Sequence, residues 1–284
     1  MQFLVSEKYR FLLGWSAKGG CSSIKSWFLD VHNIKPPADG NVHKFIGYGG
    51  TEYSYVDWGD PERYQNYQKF LVVRDPYKRL VSGFVNKYVG RHFANDGWDN
   101  FSEFVQVLAD DPKLKRINRH HFTPQFSEAY ADFAEHYSFD SIIRLKQLRE
   151  GLNSISSLTG APQVDVRKHN TSKHAPDTAS EKHVSSWSIA KLKRNRSKLP
   201  PPESFYNYEL VQLVEKIYQL DFYNLLKLGM HYPRPPVDEP EPSSAPTELT
   251  TDNRWDMEPS IPKVSIVIPV YNTAKFLRQC LDSV

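Results

Sequence analysis

Residues 16–27 read SAKGGCSSIKSW: a lysine, two glycines, then three small residues leading into an apolar stretch. Small residues in a row let successive backbone N–H groups converge on an anion, most favourably at the positive end of a helix. A nucleoside-triphosphate loop has the order G-x-x-x-x-G-K-[ST], with lysine after the second glycine. Here Lys18 precedes Gly19 and Gly20. The amides of Gly19, Gly20, Cys21, Ser22, Ser23 and Ile24 would cradle a phosphate or phosphosulfate, with hydroxyl donors from the two serines. Lys18 would bring an ammonium to the bridging oxygen of the bound group. Taken alone, the stretch fits a Gly-Ser turn that binds nothing just as well.

A second stretch, FLVVRDPYKRLVSGF (70–84), sets Arg74 at the end of an apolar run and Ser82 eight residues later. An arginine at the carboxyl end of a buried strand faces the crevice where open α/β sheets take ligands. With a serine it can grip a phosphate monoester through charge-assisted hydrogen bonds. Lys78 and Arg79 read as solvated helix-face charges, Arg79 with Asp75 as a possible partner. Ten histidines offer a base near neutral pH. The adjacent pair His120 and His121 has neither cysteine nor carboxylate at ligand spacing, so no metal site is expected.

These residues need strands and helices to hold them. YRFLLGW (9–15) reads as a buried strand, and SSIKSWFLDVH after the loop has helical apolar spacing, with Ser22 or Ser23 as N-cap. KFLVVRD (69–75) is a second strand. A helix over 76–90 follows, with Pro76 in its first turn and Gly90 at its end. Further helices are predicted at 100–109, 141–158 and 207–227. Strands alternating with helices give an α/β fold, a central parallel sheet flanked by helices. RKHNTSKH (167–174) reads as an exposed basic loop. KLKRNRSK (191–198) reads as a solvated helix end or as a rim for an acidic sugar polymer.

The 284 residues carry a net charge of +3, too little to argue for nucleic acid but compatible with a local anion pocket. Aromatic residues make up 13% and suit a filled core or a cleft lined with rings. The two cysteines, Cys21 and Cys280, form no disulfide framework, and no run of 18 apolar residues exists. A soluble, cytoplasmic chain is the expectation.

The two stretches together resemble the sulfotransferases that use 3'-phosphoadenosine 5'-phosphosulfate (PAPS). SAKGGCSSIK is similar to their 5'-phosphosulfate loop, and VVRDPYKRLVSGFVNKY to their 3'-phosphate strand–turn–helix. R-D-P-x-x-R-L-x-S with F-x-x-K-Y is nearest the carbohydrate branch that sulfates glycosaminoglycan-type and HNK-1-type chains. HFTPQ (121–125) resembles the H-W-x-P-Q of that branch, with Phe122 in place of tryptophan. The resemblance covers about residues 8 to 228. It implies a P-loop-like sulfotransferase fold and sulfuryl transfer from PAPS to a carbohydrate hydroxyl, with release of PAP and without a metal. It makes Lys18 the group on the leaving oxygen, His121 the base with His120 and His43 as alternatives, and Arg74 with Ser82 the 3'-phosphate site. Asn170, Ser172 and Lys173 become nucleotide contacts. Two rivals stay open: a P-loop nucleotide kinase or other phosphotransferase, and a PAP- or glycan-binding module without catalysis.

From 232 to 262 the chain is rich in Pro, Ser and acids, and reads as an extended, poorly packed linker whose removal with the tail is neutral. VSIVIPVYN, near its end, resembles the first strand of family 2 glycosyltransferases. On that resemblance residues 263–284 open a second domain that is cut short, preceded by a sulfotransferase domain over 1–231.

Overall fold

The computed structural model describes residues 1–35, 41–46, 53, 56–57, 60, 62–90, 97–111, 119–167 and 183–238. In chain order the strands and α-helices are β1 (Gln2–Ser6), β2 (Phe11–Trp15), α1 (Cys21–Val31), α2 (Val42–Phe45), β3 (Gln68–Val73), α3 (Pro76–Phe84), α4 (Phe101–Asp110), α5 (Arg119–Phe122), α6 (Glu128–His136), β4 (Ser141–Arg144), α7 (Leu148–Thr159), α8 (Ile189–Arg194), α9 (Tyr208–Ile217) and α10 (Gln219–Lys227). Asn170, Ser172 and Lys173 and the tail from residue 263 lie outside the described residues.

The strands form one sheet in the order β1-β2-β3-β4. Strands β2, β3 and β4 run parallel, with Phe11 opposite Gln68 and Phe70 opposite Ser141. β1 pairs antiparallel with β2 as an edge hairpin. The α/β reading holds, with an antiparallel edge that the sequence reading does not include.

Alternate side chains cover the two faces of the sheet. Phe11, Leu13, Phe70 and Val72 pack with Trp27 and Phe28 of α1 and Leu152 of α7. Leu12, Leu71 and Val73 pack instead with Phe126, with Phe133 of α6 and Leu225 of α10. A third, helical core gathers α3, α4 and α9 around Phe84, Tyr88, Phe104 and Phe122.

Several boundaries differ from the sequence reading. The predicted helix over 141–158 opens with strand β4, because β-branched Ile142 and Ile143 complete the sheet beside β3. Gly151 of α7 then packs so tightly that an added Cβ would lie 2.4 Å from Ile143. The expected helix over 76–90 is α-helical only to Phe84 and continues as a π-helix, Val85–Val89, closed by the Gly90 amide on the Val85 carbonyl at 2.7 Å. The helix over 207–227 breaks at Tyr218 into α9 and α10.

Of the segment read as a linker, residues 232–238 are described and run extended; residues 239–262 lie outside the described residues. Pro235 is buried, Tyr232 packs on the sheet core and Val237 on the helical core. The compact unit that holds the sheet runs to Glu239. Among the described residues no helix is long and apolar enough to cross a membrane.

Candidate active site

The parallel strands β2 and β3 end side by side, and each hands the chain to a helix. The first of these turns is Ser16–Gly20, where the Gly19 amide donates to the Ser16 carbonyl at 3.0 Å. Gly20, with φ 89°, occupies the N-cap position of α1 and brings no side chain to it. The expected cap at Ser22 or Ser23 is therefore corrected: both lie inside α1, and the helix start receives no side-chain cap from Gly20. Glycine is required here twice over. A Cβ on Gly20 would sit 2.6 Å from Leu145 in a left-handed conformation, and one on Gly19 would sit 3.0 Å from the Ser16 carbonyl oxygen.

Lys18 is also left-handed, with φ 65°, a conformation that costs a non-glycine residue on the order of 1 kcal/mol. Arg74 holds it there: its Nη1 donates to the Lys18 carbonyl at 2.8 Å. The two stretches picked out from the sequence thus meet in one place. Burial pulls the Arg74 guanidinium down to about 10, against the opposing charge of Asp75, so it stays cationic at neutral pH. Ser82 lies half-buried in the second turn of α3.

Two buried side chains lock this arrangement, and the sequence reading missed both. Gln125, 1% exposed, pairs with the backbone of Arg74 as a neighbouring strand would. Its Oε1 accepts from the Arg74 amide at 2.9 Å and its Nε2 donates to the Arg74 carbonyl at 2.8 Å. Arg79 is also 1% exposed, not a solvated helix charge. Its Nε donates to the Ala17 carbonyl at 3.0 Å, its Nη2 to the Thr123 carbonyl, and its Nη1 lies 3.8 Å from Asp221. Asp75 is not its partner, because that carboxylate caps α3, accepting from the amides of Tyr77 and Lys78. Burial raises the Asp221 carboxyl against the pull of Arg79.

The histidines separate. His121, on α5, is half-buried, and its Nδ1 is buried without a hydrogen-bond partner. Burial pulls its ring down to about 3, reinforced by the charges of Lys87, Lys18, His120 and Arg79. His121 is therefore neutral, and it shares its surroundings with Lys18. Lys87 belongs to the π-helical turn and is itself buried; such turns recur at functional sites. His43, on α2, meets the first turn of α1: its Nε2 lies 2.9 Å from Ser22 Oγ. Lys25 ties that segment down, donating to the Ile46 carbonyl at 2.7 Å beneath the Trp15 ring. Cys21 is half-exposed at the start of α1, and Ser23 and Ile24 are buried.

At the carboxyl ends of β3 and β4 a cavity of about 520 Å³ opens, with Arg74, Tyr77, Arg144, Lys146 and Tyr206 in its walls. Among the described residues no three His, Cys, Asp or Glu side chains cluster as metal ligands.

Residues 1–225 match the model of the family described as the sulfotransferase family. Over 228 residues the chain is 24% identical to carbohydrate sulfotransferase 8 of Homo sapiens, covering 69% of this chain and 52% of that one. Over 141 residues it is 30% identical to carbohydrate sulfotransferase 14 of Homo sapiens, covering 41% and 36%. The chain thus spans about half the length, or less, of these curated relatives. No solved structure matches.

Proposed function

Since this chain belongs to the sulfotransferase family, we propose that it transfers a sulfuryl group from PAPS to a carbohydrate hydroxyl and releases PAP. The observation that carries this reading is the uncapped turn at Gly20 joined to Arg74 through the Lys18 carbonyl. It supplies two anion sites side by side, one of helix amides and one of guanidinium, as a nucleotide with a 5'-phosphosulfate and a 3'-phosphate requires. The glycines at 19 and 20 leave the room that a Cβ would fill. The carbohydrate acceptor is supported by the names of the relatives.

When bound, PAPS supplies an activated sulfuryl group. The amides of Cys21, Ser22 and Ser23 and the Ser22 hydroxyl hold its phosphosulfate oxygens, and Arg74 with Ser82 holds the 3'-phosphate. His121 takes the proton of the acceptor hydroxyl through Nε2, the ring nitrogen left when Nδ1 is buried. The acceptor oxygen then forms its bond to sulfur as the bond from sulfur to the bridging oxygen breaks. Lys18 neutralises the charge gathering on that oxygen, which leaves on PAP. His43 steadies Ser22 and is the alternative base. The chain from Lys263 is proposed to begin a family 2 glycosyltransferase domain, and the enzyme to work in the cytoplasm.

Thermal shift with PAP, ATP and GTP tests the donor site. PAP should stabilise the chain and ATP and GTP much less, since they lack the 3'-phosphate; losing a charge-assisted site costs ~1.5–3 kcal/mol. Equal shifts would instead favour a nucleotide phosphotransferase. Turnover of labelled PAPS with a panel of neutral and acidic glycans then separates an enzyme from a binding module. Comparing His121→Ala with His43→Ala in the same assay assigns the base.

A further inference from the structure

The family match ends at residue 225, yet the cavity beside Arg74 has a wall beyond it. Helix α10 closes on Gly229, left-handed at φ 71°, and the Met230 amide returns to the Leu225 carbonyl at 2.8 Å. The chain then runs extended. Tyr232 is seated on the sheet core, with the Arg144 guanidinium 5.4 Å from its ring centre. Val237 is seated on the helical core. Between these anchors Pro233, Arg234, Pro235 and Pro236 cross the cavity and line it.

Three prolines with fixed φ make this segment stiff, so little conformational freedom is lost in holding it there. A two-pronged ion pair fastens its middle: Arg234 Nε lies 2.7 Å from Glu215 Oε1 and Nη2 lies 2.8 Å from Oε2. Glu215 Oε1 also accepts from the Tyr77 hydroxyl at 2.7 Å. The strap is thereby tied to the first turn of α3, directly after Arg74.

The charges inside point to the occupant. Lys78 pairs with Glu203 at 2.7 Å and Arg234 with Glu215. Arg74, Arg144 and Lys146 have no carboxylate within ion-pair distance among the described residues. Prolyl and tyrosyl surfaces alternate with these cations, which suits a ring system carrying more than one phosphate.

We propose that Tyr232–Pro236 is a prolyl strap forming the outer wall of the nucleotide site, with Arg234 as the positioning residue that fastens it through Glu215 and Tyr77. This rests on the reading of the cavity as the seat of PAP. The strap covers the bound nucleoside bisphosphate and slows its departure, while the phosphate contacts remain those of Arg74 and the α1 turn. The sequence reading treats removal of residues 233–284 as neutral; on this proposal that deletion weakens PAP binding.

The test is PAP affinity by titration calorimetry and PAP release by stopped-flow fluorescence, on the full chain. Arg234→Ala should raise the Kd at least tenfold, chiefly through faster release, with the melting temperature little changed. Arg234→Lys, which keeps the charge and loses one prong, should fall in between. Arg234→Ala placed on Glu215→Ala should add almost nothing. If the unaltered chain binds PAP and Arg234→Ala binds and releases it equally well, the strap proposal is overturned while the nucleotide reading stands. If the unaltered chain binds no PAP, the nucleotide reading falls and takes the strap with it.

Discussion

Two neighbouring strands end at the same level of the sheet and enter their helices in opposite ways. At the β3–α3 turn, Asp75 caps two amides with its own carboxylate and Pro76 fills the first position, so the helix is closed by its own chain. At the β2–α1 turn the cap position is a glycine, which brings no side chain to the first amides of α1. A glycine at that position gives up only a few tenths of a kcal/mol against Ser, Thr, Asn or Asp, so leaving the helix end clear of a side chain costs little. On the proposed reading, α1 is the helix whose positive end takes the phosphosulfate, while the second anion falls to the Arg74 side chain.

The sharpest test of this contrast is Lys18→Gly. Position 18 is left-handed, so glycine suits its backbone better than lysine does. Turnover should fall by ~10²–10³-fold through loss of transition-state charge stabilisation, while the melting temperature holds or rises. A parallel loss of fold and activity would show that Lys18 is structural. Next in size is Gly20→Ala, which forces a Cβ towards Leu145 in a left-handed conformation. It should cost ~1–3 kcal/mol of stability by denaturant unfolding and weaken PAP binding at least tenfold. The counterpart is Asp75→Ala, at the closed turn. It should remove about 1 kcal/mol of stability and leave PAP affinity within about threefold; a large loss of affinity would mean that both helix starts serve the ligand.

How much of this could be read in advance divides along the same line. The open turn was legible because a lysine, two glycines and small residues in a row are a local pattern, and Arg74 and Pro76 mark a strand end and a first helical turn; the sequence reading instead pairs Asp75, the cap between them, with Arg79. Gln125 and Arg79 were not, because their roles come from distant chain. Gln125 carries the pairing of β3 one residue past its carboxyl end, at Arg74, and Arg79 reaches Ala17, Thr123 and Asp221. One clue was available. Asp221 stands on the apolar stripe of α10 between Tyr218 and Leu225, and an acid there calls for a buried cation. Strand β1 was missed as the antiparallel edge, and β4 because its four residues merge with the apolar spacing of α7.

A separate expected effect, independent of the two turns, is in the pH dependence of stability. His121 and His32 are held at about 3 and about 4, both chiefly by burial. An unfolded histidine takes its proton near 6.5, so the unfolded chain binds protons first as the pH falls. Their contribution is therefore complete above about 6.5 and is lost progressively towards pH 4. Urea midpoints at pH 7 and pH 5 should show the decline, and His121→Gln should flatten it; an unchanged slope would mean that His121 is more open to water than its surroundings indicate.

The Arg79 node has a consequence for how the protein is made. It joins Ala17 of the β2–α1 loop to Thr123 in the bend after α5 and to Asp221, near the end of the sheet-bearing unit. Contacts so far apart along the chain form late, after the loops between them have closed. A ribosome releases the N-terminal strands long before α10 emerges. Until then Arg79 lacks its carboxylate and the turn at residues 16–20 lacks its brace. On the proposed function, a nascent chain thus builds its sheet early while remaining unable to grip a nucleotide, and binding competence arrives only as synthesis passes α10.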